Sequence, residues 1–144
     1  MKIAAMDESV LDSFASKVLK ERGIIPGSLN EDEHILNNMQ YSNVSFCLLP
    51  INIEYLHNKG QAKIIINILK KCRTRISDNQ NQKINQRTNE LLEHYGERED
   101  CCRLLAEAEE CGVNFLLTRN GNFISELGRK AKNVKIIRPI DFAN

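Results

Sequence analysis

A chain of 144 residues, 42% apolar and 27% charged, is long enough to form one domain around its own core without disulfides or a structural metal. No apolar run approaches the roughly 20 residues that span a bilayer, and Met1 to Met6 turns acidic too soon for a signal peptide, so a cytoplasmic protein with no membrane partner is expected. The net charge of +1 hides a segregation: residues 59–87 set eight basic side chains against Asp78, 119–138 set six against Glu126, and 88–110 set eight acids against two arginines. Such blocks suggest a polarised surface whose basic part can attract a polyanion.

The five cysteines, at 47, 72, 101, 102 and 111, are odd in number, show no C-x-x-C, and fall mostly within predicted helices and strands. Together with three unpaired histidines they read as buried thiols of a reducing compartment, not as a zinc site or disulfide framework.

Lys2 to Met6 is a short apolar run suited to a central parallel strand, with Asp7 at its C-terminal end. Residues 8–22 are predicted helical, Val10, Leu11, Phe14, Val18 and Leu19 forming the inner face, and Gly23 closes the helix. After the Pro26-Gly27 turn, Ser28 or Asn30 can cap a second helix whose first turn is acidic. Val44 to Leu49 reads as a second strand, and Pro50 suits the junction into the next helix because its missing N–H is not needed there. That helix, with Glu54 in or near its first turn, is predicted to run to about Lys71. Thr74 to Ser77 is a candidate edge strand, 78–82 an exposed mobile loop, and 84–95 a further helix.

Residues 97–100 form a charged turn ahead of a helix whose apolar stripe is Cys101, Leu104, Leu105, Ala108 and Cys111, leaving Arg103, Glu107, Glu109 and Glu110 to water. Gly112 stops that helix. Val113 to Leu117 is then a buried strand, 118–122 its exit loop, Phe123 to Ala131 a short helix, and Val134 to Ile137 the last strand. Alternating helices and strands give an α/β domain with a mostly parallel sheet, one unit over residues 1–144.

In such a sheet, helix N-termini and strand C-termini share one edge, and ligands bind along it. Asp7, Glu54, Asp100 and Asn120 are all placed there. Singly, each has a structural role to hand: Asp7 as a helix cap, Glu54 and Asp100 as complements to helix dipoles, Asn120 as a turn residue. Jointly, three carboxylates and an amide call for a hard divalent ion, Mg²⁺ or Mn²⁺, which can orient and acidify a water for attack on a phosphodiester. No P-loop, dinucleotide fingerprint or G-x-S-x-G motif competes with that reading.

The stretches K-I-A-A-M-D-E-S-V-L, F-C-L-L-P-I-N-I-E-Y-L and E-D-C-C-R-L-L-A-E-A-E-E-C-G-V-N-F-L-L-T-R-N-G-N-F resemble, in order, the first, middle and last motifs of PIN domains. The resemblance implies a three-layer α/β/α sandwich and a metal-dependent ribonuclease, often the toxin of a toxin–antitoxin pair. It would make Asp7, Glu54 and Asp100 catalytic and metal-binding, with Asn120 a fourth metal ligand. Ser9 fits the family's small polar position and Arg119 would meet substrate, with Lys63, Arg73 and Arg75 as further phosphate contacts. RNA is then the substrate, and an antitoxin-like protein and a homodimer are the other implied partners. Two positions depart from the pattern: Asn120 stands where a fourth acid is expected, and Glu8 where a small hydroxyl residue is usual. Those departures raise an alternative, a PIN-like domain with impaired chemistry that binds RNA or a protein. A third alternative is a small-molecule phosphate-ester hydrolase.

Overall fold

The structure, a computed structural model, describes residues 1–60, 62–68 and 74–142. Its centre is β1, Lys2–Met6, in the middle of a sheet with β2, Val44–Phe46, on one side and β3, Phe115–Leu117, then β4, Lys135–Ile137, on the other. All three pairings are parallel, with Met6 opposite Leu117 and Leu117 opposite Ile137. Strand side chains alternate between faces, so Ala4, Met6 and Leu117 enter one core while Ala5 and Leu116 enter the other. Both faces of the sheet are therefore covered, as a three-layer α/β arrangement requires.

The first layer holds α1, Glu8–Glu21, and α2, Glu31–Tyr41, followed after β2 by α3, Pro50–Asn58, and α4, Ala62–Ile68. Asn30 caps α2 in a reciprocal box with Glu33, and Pro50 takes the first helical position of α3. The opposite layer holds α5, Asp78–Leu92, and α6, Glu99–Glu110, with α7, Gly121–Leu127, linking β3 to β4. The short α8, Pro139–Phe142, returns to the first layer, where Phe142 packs edge-on against Phe115. Among the described residues no helix is long and apolar enough to cross a membrane.

Several elements depart from the expected boundaries. The helix after Pro50 stops at Asn58, and Gly60 takes φ +72° in the turn before α4; the expected extension to Leu69–Lys71 lies outside the described residues. Residues 74–77 form no strand and share one ladder-like bond with the sheet region, Thr74 N–H to Leu48 O. Residues 78–82 are the first turns of α5, because Ser77 and Gln80 cap each other. Glu107, expected in water, is buried against the start of α3. Of the cysteines, 47, 101 and 102 are buried, 101 and 102 as free thiols, 111 is partly exposed, and 72 lies outside the described residues.

Candidate functional site

The register Met6–Leu117–Ile137 means that the next residues along, Asp7, Thr118 and Arg138, line up at the C-terminal edge of the sheet. Backbone bonds from Asp7 N–H to Leu117 O and from Thr118 N–H to Ile137 O continue the ladder that far. Over this edge opens a cleft of about 320 Å³, lined by the apolar and aromatic side chains of Ile51, Tyr55 and Leu104 and by the charged ones of Asp7, Glu8, Arg98 and Asp100. Ser9, Arg119 and Asn120 also line it.

Asp7 caps α1 and joins three elements. Its Oδ1 accepts from Val10 N–H at 3.0 Å and from the Ser9 hydroxyl at 2.7 Å, while its Oδ2 accepts from the Thr118 hydroxyl. Thr118 is fully buried and in turn accepts from Asn120 N–H at 3.0 Å. Ser9 thus orients Asp7, and its carbonyl receives Arg119 Nη1 at 2.9 Å. Arg119 also reaches the Ser13 hydroxyl at 3.1 Å and lies 3.7 Å from Asp32, which fixes it at the rim between α1 and α2.

Asp100 is gripped by Arg98 through two parallel bonds of 3.0 Å, Nε to Oδ1 and Nη2 to Oδ2. Such a fork engages both carboxylate oxygens. The Arg98 guanidinium holds the Asp100 carboxyl below the usual carboxylate range, while Arg98 itself is pushed up, mainly by that same bond. Glu8 moves the other way: partial withdrawal from water and then the charge of Asp100 raise it. Cys101 is pushed up to about 12, first by burial and then by Asp100, so its thiol is no nucleophile at neutral pH.

Asn120 caps α7. Its Oδ1 accepts from Asn122 N–H at 3.0 Å and Phe123 N–H at 3.3 Å, which leaves its NH₂ group, a donor, for the cleft. Glu54 is not brought to the cleft. It is exposed on α3, on the flank where its charge bears on Glu107, while Ile51, Asn52 and Tyr55 face inward. Helix phase explains this, because successive residues step by about 100°. Asn52 is buried, accepting from Leu49 N–H at 2.9 Å and donating to Met6 O at 2.8 Å, and that bond fixes which way α3 faces.

Asp7, Asp100 and Asn120 therefore direct oxygens to internal donors, and no group of three or more His, Cys, Asp and Glu among the described residues is placed to hold a metal ion. The donor set suggested by the sequence, Asp7, Glu54, Asp100 and Asn120, is not brought together in this arrangement. Arg98, Tyr55, Thr118 and Arg138 belong to the site without having been singled out in the sequence. Only Arg98 left a local signal, a basic residue two positions before an acid at a helix start. Tyr55 is anchored by its hydroxyl, 3.0 Å from both Asp12 oxygens, with Lys59 Nζ on the same carboxylate and 5.0 Å over its ring.

Beyond the cleft, Arg129, Lys130, Lys132, Lys135 and Arg138 are exposed in a run without a single acid. None of them joins an ion pair among the described residues. Arg138 reaches the cleft end of this run, its Nη2 3.2 Å from where a Cβ on Gly121 would stand. Lys63 is exposed on α4 and Arg75 in the segment before α5, both away from the cleft lining, and Arg73 lies outside the described residues. No family model matches the chain, and neither the curated proteins nor the solved structures include a significant match.

Proposed function

We propose that the chain is a PIN-like domain that binds RNA along its β4 edge, and that its cleft is not assembled for metal-dependent cleavage. The observation that carries the binding is the unpaired basic run from Arg129 to Arg138, which ends beside Gly121 and Asn120 at the cleft. Exposed guanidinium and ammonium groups close together along the chain release counterions when they meet phosphates, and that supplies affinity without sequence preference. The impaired chemistry is supported by the commitments of Asp7, Asp100 and Asn120 to internal donors.

The test is fluorescence anisotropy of a labelled single-stranded RNA in EDTA, titrated across salt. Five phosphate contacts would give a log–log slope of up to about −3.5, and each of Lys132→Ala, Lys135→Ala and Arg138→Ala should weaken binding and flatten the slope by about 0.7. No binding in EDTA at low salt, or binding indifferent to these three changes, would refute the assignment.

A second reading keeps the ribonuclease, with an antitoxin-like protein as its partner. It is favoured by one observation: Asp7, Glu8 and Asp100 line the same cleft, closely enough that Asp100 and Asp7 both raise Glu8. Mn²⁺-dependent RNA cleavage that disappears in Asp7→Asn would select it over the binding module.

A further inference from the structure

We infer that Arg98 is the resident cation of the cleft, a guanidinium built into the chain that stands in the electrostatic role of a divalent ion and closes the site to one. The charged cleft-lining side chains are three acids, Asp7, Glu8 and Asp100, against Arg98 and Arg119. Arg119 is held at the rim by Ser9 and Ser13, so the charge that answers Asp100 is that of Arg98. A bidentate fork sets its positive charge against the carboxylate and engages both of its oxygens.

The second barrier is one atom of Asn120. Its oxygen is fixed at the α7 N-terminus, so the group turned to the cleft is an NH₂, which repels a cation. An aspartate caps a helix as well as an asparagine does. Asn120→Asp therefore keeps Oδ1 on Asn122 and Phe123 and exchanges the NH₂ for a carboxylate oxygen. Arg98→Gln frees Asp100. Both side chains are only partly buried, so neither change opens the core. Together they should turn a closed cleft into one that takes Mn²⁺ on Asp7, Asp100 and the carboxylate supplied by Asn120→Asp.

The inference relies on the proposed PIN-like reading only for the choice of ion, and its readout does not involve RNA. The experiment is the thermal midpoint in EDTA and in rising MnCl₂, with the electron paramagnetic resonance signal of free Mn²⁺ as a direct count of bound ion. The native protein should stay flat. Arg98→Gln/Asn120→Asp should rise by roughly 4 °C per tenfold increase in Mn²⁺ once its dissociation constant is passed. Arg98→Lys/Asn120→Asp should stay flat, because the positive charge is retained without the fork. A native protein that responds as steeply as the double variant would overturn the inference. So would a double variant that unfolds cooperatively yet binds no Mn²⁺. RNA binding in EDTA is measured separately, and its absence would remove the binding function while leaving the Mn²⁺ result to stand or fall by itself.

Discussion

Asp7 offers the sharpest separation between a residue kept for chemistry and one kept for architecture. Acids held together for a metal repel each other in its absence, so removing one leaves stability unchanged or raises it. The structure makes Asp7 an anchor instead, accepting from Val10 N–H, the Ser9 hydroxyl and the buried Thr118 hydroxyl. Asp7→Ala removes a helix cap, about 1 kcal/mol, and leaves the Thr118 hydroxyl hydrogen without an acceptor, about 1–3 kcal/mol. The sum, roughly 2–4 kcal/mol, lowers the midpoint of a domain this size by about 5–12 °C. Thr118→Val removes the same hydroxyl, so in the Asp7→Ala background the orphan disappears and the two losses should fall short of additivity by about 1 kcal/mol. Asp7→Asn retains Oδ1 for Val10 and should cost less than Asp7→Ala. Urea and thermal unfolding of the four members of the cycle measure all of this. If Asp7→Ala is neutral or stabilising and shows no coupling to Thr118→Val, the architectural account is wrong.

Two further predictions concern ionisation and burial. Glu107 is 1% exposed, accepts from Ile51 N–H at the start of α3 at 3.0 Å and pairs with Arg103 at 3.3 Å. Glu107→Leu orphans that N–H and should cost about 2–3 kcal/mol in urea unfolding, whereas Glu107→Gln keeps an acceptor and should cost less than about 1 kcal/mol. Burial raises the Glu107 carboxyl, so the folded state binds its proton more readily than the unfolded chain; its contribution to stability falls as pH rises from the ordinary carboxylate value through the raised one, and Glu107→Gln should remove that slope. Asp100 has the opposite sign. Its carboxyl is lowered chiefly by Arg98, so its stabilising contribution is present above the ordinary carboxylate value and lost as pH falls through the lowered one. The urea midpoint of Arg98→Gln should therefore be less sensitive to acid than that of the native protein, and an equal acid sensitivity would mean the fork does not form in solution.

Much of the architecture was legible because its signals are local. The apolar run 2–6, the inner face of α1, a polar cap (Ser28 or Asn30, resolved as Asn30) ahead of α2, Pro50 at the first position of α3 and Gly112 at φ +70° after α6 each follow from side-chain chemistry within a few residues. The shared edge follows too, since parallel strands must bring Asp7, Asp100 and Asn120 together wherever boundaries shift. Helix phase was not legible. Glu54 sits at the right level of the sheet but on the wrong side of α3, because the residue that fixes the phase is Asn52, a polar side chain that a pattern of apolar residues assigns to solvent. The same blindness hid Glu107, whose burial depends on the start of a helix more than fifty residues earlier. It also hid the first turns of α5, where Ser77 and Gln80 make a helix from residues whose composition suggests a loop.

Charge, more than fold, decides what the edge can do. On the proposed reading, the basic run from Arg129 to Arg138 would draw phosphate toward a cleft whose three acids are largely offset by Arg98 and Arg119. Hydrolysis would need a nucleophile. Cys101, raised to about 12, is a closed thiol. A water made acidic by a divalent ion requires free oxygens, and those of Asp7, Asp100 and Asn120 already accept from Val10, Thr118, Arg98 and the start of α7. On the proposed reading, what is left is attachment along a strand edge. The two changes proposed to open the cleft, at Arg98 and Asn120, both fall at the N-termini of helices. On the proposed reading, the fold keeps its edge, its caps and its core without the chemistry, so that sequence motifs alone point to an enzyme while the contacts of Asp7, Asp100 and Asn120 support a binder.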